Sequence, residues 1–194
     1  MKTMFMDTST QALIICFLDD REIIYHQELI GNNNHSDNLL KKIQEGLVQT
    51  NLEVKDFDRI VVGIGPGLYT GLRVSLTVAK MFSWTVNIPL YTISSLKLIA
   101  CGYFNEMGNI IIKTHAKKNY VYCTVINIKQ KITTIIEDKF ITIQEFNDII
   151  DKYEDATIVD ETNYKFDPLY IKDYLLTQVE DINLLEPNYL RGEL

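Results

Sequence analysis

Gly63-Ile64-Gly65-Pro66-Gly67-Leu68-Tyr69-Thr70-Gly71-Leu72-Arg73 follows directly on the apolar run Ile60-Val61-Val62 and leads into a long apolar stretch, Leu72 to Val86. That order reads as strand, tight glycine turn and helix start. Glycine lets the backbone take positive φ or come close to another backbone or a ligand. A helix N-terminus adds free N–H groups and positive dipole character. Two uses fit: an anion cradle, or a tight corner packed on its neighbours. The spacing excludes the two commonest phosphate loops. Gly71 is followed by Leu72-Arg73, not by Lys-Ser or Lys-Thr. Neither Gly63-Gly65 nor Gly65-Gly67 is completed by a glycine three residues on, as a dinucleotide fingerprint requires.

Upstream, Met4 to Met6, Ala12 to Leu18 and Glu22 to Leu29 read as strands, with a hairpin turn at Asp19-Asp20. Asn32-Asn33-Asn34 breaks the pattern, and Ser36 is placed to cap a helix. Leu39, Leu40, Ile43 and Leu47 give that helix an apolar stripe. The helix behind the glycines differs. Leu72, Val74, Leu76, Val78, Ala79, Met81, Phe82, Trp84 and Val86 spread around it. An all-round apolar helix needs cover on all sides. One face can lie on a sheet, and the other needs a neighbouring helix or another subunit. Trp84, the only tryptophan, is the candidate anchor for a subunit contact.

Pro89 to Ile93 reads as a strand, and a short helix from Ser94 to about Cys101 follows. Gly102 to Asn109 reads as a boundary between domains 1–103 and 104–194. Strands return at Ile110–Lys113, Tyr120–Ile128 and Ile132–Phe140. Thr142-x-x-Glu145 is a capping box for a helix at Ile143–Tyr153, Ala156–Val159 is a strand, and Pro168 opens a further helix. Both halves share a strand-strand-strand-helix order.

The net charge is −7. Holding RNA alone calls for a basic face, and the lysines here cluster only at Lys41-Lys42 and at Lys113 with Lys117-Lys118. Cys16, Cys101 and Cys123 are far apart and form no Cys-x-x-Cys, so we expect free thiols in a reducing cytosol. No stretch is long enough for a membrane span, and Asp7 interrupts the first apolar run, so no signal peptide is expected. His26, His35 and His115 form no helix-borne metal pair. His35, at a helix start, reads as a capping or packing residue. Thr92, Ser94 and Ser95 have no histidine and carboxylate arranged to activate them.

The run GIGPGLYTGLR closely resembles the G-x-G-P-G-S-F-T-G-L/V-R signature of the TsaB (YeaZ) family. Met6-Asp7-Thr8-Ser9-Thr10 resembles its opening I-D-T-S/A-T, and His35-Ser36-Asp37-Asn38-Leu39-Leu40 its H-S/T-x-x-L-L helix start. Ile93-Ser94-Ser95-Leu96 and Glu186-Pro187-Asn188-Tyr189-Leu190-Arg191 resemble its V-S-S/T-L and E-P-x-Y-L-R. All occur in family order.

The resemblance implies an α/β chain of the actin-like (ASKHA) fold, with two related domains and here a trimmed second one. The family's D-A-R-x-G-E-V-Y corresponds to His115-Ala116-Lys117-Lys118-Asn119-Tyr120-Val121-Tyr122, which lacks the acidic residue and the glycine. It implies a non-catalytic, cytoplasmic accessory subunit. That subunit activates TsaD, which transfers threonylcarbamoyl to N6 of adenosine 37 in tRNAs reading codons that begin with A. A TsaE ATPase joins the pair, tRNA is reached only through the complex, and the isolated chain forms a homodimer. No metal or cofactor of its own is implied, since the His-x-x-x-His pair of TsaD is missing. The partner surface expected is helices 36–49 and 71–86, through Leu39, Ile43, Leu47, Leu72, Leu76, Met81 and Trp84. Asp7, Thr8, Gly65, Pro66, Gly67, Thr70, Gly71 and Arg73 would form the motif and a possible vestigial nucleotide loop. In actin-like ATPases a glycine beside the aspartate meets the phosphate, where Ser9 stands here; Asp7 to Thr10 reads better as a side-chain-stapled turn. The competing readings are a small actin-like ATPase or kinase with its own nucleotide site at Asp7 and Gly65–Gly67, and a metallopeptidase, which the histidines disfavour.

Overall fold

A computed structural model describes residues 1–31 and 35–190, without the side chains of His35 and Ser36. The Asn32-Asn33-Asn34 break, the Ser36 cap, the His35 packing role and Arg191 of the C-terminal motif lie outside the described residues. In chain order the elements begin with β1 (Lys2–Asp7), β2 (Ala12–Asp19), β3 (Glu22–Ile30) and α1 (His35–Thr50). Next come β4 (Arg59–Gly63), α2 (Tyr69–Val86), β5 (Leu90–Ile93) and α3 (Ser95–Ile99). The remainder are β6 (Gly108–Lys117), β7 (Tyr120–Ile128), β8 (Ile132–Thr142), α4 (Ile143–Lys152), β9 (Thr157–Val159) and β10 (Thr177–Gln178). The chain divides into two compact units. One is Met1–Ser95 with Lys172–Asn188, and the other is built on Leu96–Ile171.

The first unit holds a six-stranded sheet in the order β10-β5-β4-β1-β2-β3. Its meander is antiparallel, and Asp20 takes the left-handed conformation (φ 51°) that a tight turn needs and aspartate tolerates. After α1 the chain returns to lay β4 parallel to β1, and after α2 to lay β5 parallel to β4. Side chains alternate across a strand. Met4, Met6, Leu13, Ile15, Phe17, Ile60 and Val62 therefore share one face, where Leu39, Ile43, Leu76 and Ala79 pack on them. Phe17 lies edge-on to Phe57 at 4.9 Å between ring centroids. Asn87 ends α2 in the left-handed conformation (φ 55°) and its N–H reaches the Ser83 carbonyl.

The sheet is completed from far along the chain. Asp173 pairs with Arg59 at 2.7 Å, β10 runs antiparallel to β5, and the Val179 N–H donates to the Leu90 carbonyl at 2.9 Å. Val179 and Leu185 pack on the core, and the Asn188 N–H donates to the Ile64 carbonyl at 2.8 Å. The division thus falls after Ser95 rather than after residue 103, and residues 172–188 belong with the first unit rather than with the second half. The physical reason is that the open edge of β5 needs hydrogen-bond partners.

The second unit holds a four-stranded sheet in the order β8-β7-β6-β9, with β9 parallel to β6. Ile111, Val121, Cys123, Val125 and Ile141 form a core with Phe146 of α4. The capping box forms as the sequence predicts: Thr142 Oγ1 accepts from the Glu145 N–H at 3.2 Å, and Glu145 Oε2 accepts from the Thr142 N–H at 2.7 Å. Pro168 opens only one 3-10 turn, Pro168–Tyr170, not a helix. The strand orders β4-β1-β2-β3 and β9-β6-β7-β8 are the same, each built from three antiparallel strands, a helix and a parallel strand.

Candidate functional site

β1 ends on Asp7, and the turn Thr8-Ser9-Thr10 that follows is buried with it. The Ser9 N–H donates to Asp7 Oδ1 at 2.5 Å, and the Ala12 N–H to Thr10 Oγ1 at 3.2 Å. These are the side-chain-stapled turns that such residues form. The glycine segment lies on this turn. The Leu68 N–H donates to the Ser9 carbonyl at 2.6 Å. Thr8 Oγ1 donates to the Gly71 carbonyl at 2.5 Å and accepts from the Ser75 N–H at 3.2 Å. Ser95 Oγ accepts from the Gly65 N–H, and the Ser95 N–H donates to the Gly65 carbonyl, both at 2.9 Å. Ser95 therefore ties down the loop from the start of α3. Asn188 closes the other side at Ile64.

The glycines are required by this packing. A Cβ on Gly71 would lie 2.8 Å from the Thr8 carbonyl carbon and closer still to its oxygen. A Cβ on Gly67 would lie 2.8 Å from Ser9 Cβ. Gly65 has φ +109°, which side chains rarely adopt, and Asn188 O would be 2.9 Å from its Cβ. Of the two uses open in the sequence, the tight corner is the one these contacts describe. Ser9 fills the space beside Gly67, where an actin-like phosphate site keeps a glycine. Asp7, Thr8, Gly65, Pro66 and Gly71 are buried together, and Gly67 is half-buried.

Thr70 and Arg73 part company with them. Both are exposed, on the outer side of α2. The Arg73 guanidinium carbon sits 4.2 Å from the Tyr69 ring centroid. Tyr69, Thr70, Arg73, Val74, Thr77 and Val78 line a shallow groove of about 460 Å³.

The helices expected to bind a partner divide in the same way. Leu39, Ile43, Leu72 and Leu76 are core, and Leu47 is half-buried against it, so these five do not form a free face. The sheet beneath accounts for this, because the side of each helix that meets it is the apolar one. Nor is α2 covered on all sides: Met81 is 44% exposed and Trp84 79%. On neighbouring α1, Leu40 and Val48 are exposed eight positions apart, on one side of that helix. Leu40, expected in the apolar stripe with Leu39 and Ile43, is thus outside the core, and Val48 and Tyr69 are exposed apolar residues that the sequence reading did not single out. The i, i+8 spacing of Leu40 and Val48, against the buried Leu39 and Ile43, was the available signal.

In the second unit the His115 N–H is held by the Glu161 carboxylate. Lys117 lies 5.0 Å from the Tyr120 ring, which stacks on Phe140 at 4.6 Å. Asp160 accepts from the Thr162 hydroxyl at 2.6 Å and faces Lys113 at 3.4 Å. The Thr162 hydrogen bond holds its carboxyl below the ordinary range. The three cysteines are buried and form no disulfide, and burial first, then Asp138, pushes the Cys123 thiol up to about 12. Among the described residues no three His, Cys, Asp or Glu side chains are grouped to hold a metal. No helix among them is long and apolar enough to cross a membrane.

The family model described as "TsaD: tRNA N6-adenosine threonylcarbamoyltransferase" matches residues 24–178. A Bacillus subtilis protein named tRNA threonylcarbamoyladenosine biosynthesis protein TsaB is 26% identical over 151 residues, 77% of this chain and 66% of that protein. The Haemophilus influenzae protein of the same name is 29% identical over 129 residues, 66% of this chain and 54% of its own. That of Buchnera aphidicola is 32% identical over 107 residues, 51% of this chain and 48% of its own. The chain spans about half to two thirds of the length of these relatives. Two solved structures share the fold. YeaZ from Pseudomonas aeruginosa matches with a TM-score of 0.67 at 20% identity, over 73% of this chain and 67% of its own. An uncharacterized protein with similarity to peptidase YEAZ, from Pseudomonas aeruginosa, matches with a TM-score of 0.81 at 16% identity, over 98% and 99%. The architecture is the two-sheet α/β fold of these YeaZ structures.

Proposed function

The chain belongs to the TsaB (YeaZ) family, and we propose that it is a non-catalytic subunit that pairs with and activates a TsaD-type threonylcarbamoyltransferase in making N6-threonylcarbamoyladenosine in tRNA. One observation carries the reading. The chain's only tryptophan stands 79% exposed on α2, with Met81 on the same side and Leu40 and Val48 on neighbouring α1. A grouped apolar surface of this kind marks a protein contact, and tryptophan is the commonest type of anchor. Helix pairs that meet in this way pack as a four-helix layer. In the absence of the partner the same face closes on a second copy by two-fold symmetry. The glycine corner supports the reading, because its glycines serve packing against Asp7 to Ser9. A TsaE-type ATPase would join the pair. With a net charge of −7 the chain would meet tRNA through the complex. Its place is the cytoplasm.

Trp84 supplies the test. The chain is labelled with 5-fluorotryptophan, giving one fluorine signal, and titrated with the TsaD-type protein of the same genome. We expect the signal to shift and broaden as the pair forms, with co-elution on size exclusion. An unmoved signal and separate elution refute the pairing. A titration with ATP and magnesium addresses the ATPase alternative, and binding at about a micromolar or tighter would favour it.

A further inference from the structure

We propose that the returning segment Asn183–Glu186 is a third element of the partner surface, beside α1 and α2, and that it takes an apolar side chain flanked by lysines or arginines. The proposal rests on the helix-face reading above. Lys80 carries it. Its ammonium donates to the Leu185 carbonyl at 3.0 Å and to the Asn183 carbonyl at 3.5 Å, so it grips the backbone on both sides of Leu184. Trp84 stands one helical turn further along the same side of α2. Leu185 turns inward onto the core, and Leu184 turns outward, 78% exposed. Leu184 thus lies between the two carbonyls that Lys80 holds, Trp84 is one helical turn from that lysine, and both present apolar surface to solvent. The Asn183 N–H, bonded to Asp181 Oδ1 at 2.8 Å, fixes the turn leading into this segment.

Charge defines the occupant. α2 contains Arg73 and Lys80 and no carboxylate. The chain adds Glu180 and Asp181 just before the segment and Glu186 at its end, all exposed and within four residues of Leu184. An apolar spot edged by carboxylates favours a partner patch edged by cations. It disfavours acidic surfaces, so a second copy of this chain, which brings its own carboxylates to the same edge, pairs on this face more weakly than a cationic partner does. The segment therefore discriminates between the heterologous partner and the homodimer, which a two-helix face alone does not.

The test uses the full chain and the TsaD-type partner, with affinity measured by titration and folding by circular dichroism. Met81→Asp tests the helix face, and Leu184→Asp tests the segment. Leu184 is exposed, so neither Leu184→Asp nor the conservative Leu184→Met should alter the fold. We expect Leu184→Asp to weaken pairing on the order of ten-fold or more, and Leu184→Met to bind like the parent. Pairing of the parent should weaken as salt rises, and Glu180→Gln with Glu186→Gln should flatten that dependence. If Met81→Asp abolishes pairing while Leu184→Asp binds like the parent, the helix face stands and the segment is overturned. If neither substitution matters, both fall. Salt-independent pairing overturns the cationic partner patch.

Discussion

Gly71→Ala separates a packed corner from a ligand cradle. Gly71 is in the first turn of α2, where helix propensity alone favours alanine over glycine by about 1 kcal/mol. Propensity therefore predicts stabilisation. The structure predicts the opposite. The new Cβ would lie 2.8 Å from the Thr8 carbonyl carbon and closer to its oxygen, and both atoms are backbone, held in a buried turn. Relief requires α2 to move away from that turn. That movement stretches the Thr8 hydroxyl from the Gly71 carbonyl and the Ser75 N–H from Thr8 Oγ1. Overpacking of this kind costs about 1–3 kcal/mol, and each buried bond lost adds on the order of 1 kcal/mol. Against the favourable propensity, a net loss of about 2–4 kcal/mol is expected, which lowers the melting temperature by roughly 4–16 °C for a chain of this size. Urea denaturation followed by circular dichroism measures it. If the glycine served only to admit a ligand, Gly71→Ala would leave the midpoint unchanged or raise it. That result would refute the packing argument.

Three further outcomes follow from the same structure. Leu76→Asp buries a carboxylate in the core and should unfold the first unit, whereas Met81→Asp should leave the circular dichroism spectrum intact and abolish pairing; a folded Leu76→Asp or an unfolded Met81→Asp contradicts the assigned phase of α2. Cys123, buried and with its thiol pushed up to about 12, should resist alkylation at pH 8 in the native protein and react only on unfolding, and mass spectrometry showing rapid native labelling would overturn this. The Asp160 carboxyl is held below its ordinary value of 3.8, so its stabilising effect is complete above that pH and fades as pH falls through the depressed value; carbon NMR should show a midpoint under 3.8, Asp160→Asn should flatten the acid limb of stability, and a midpoint at or above 3.8 refutes it.

The meander and the capped α4 were legible because local chemistry decides them. Short apolar runs, the Asp19-Asp20 turn and the Thr142–Glu145 box each act within a few residues. The segment 172–188 was not legible. β10 has two residues, too few for any periodicity, and its partner in the sheet is Thr92 and Tyr91, far back in the chain. The partner face was legible as a surplus of apolar residues on α2, but not in its phase. When apolar side chains surround a helix, hydropathy does not say which of them meets the sheet.

The glycine signature, read as a corner, supplies that missing phase. Thr8 is bonded to the Gly71 carbonyl and the Ser75 N–H, so the side of α2 bearing residues 71 and 75 must face the β1 turn. Ala79 continues that side and is fully buried. At 100° per residue the opposite side carries Arg73, Thr77, Met81 and Trp84, and all four are exposed. Leu72 and Leu76 fall next to the anchored side and are core. The residues that look like a phosphate loop thus act on function at a distance. They fix the rotation of α2 and so decide which apolar side chains remain outside for a partner. A substitution at Gly71 or Thr8 should therefore weaken pairing even though neither residue can touch the partner.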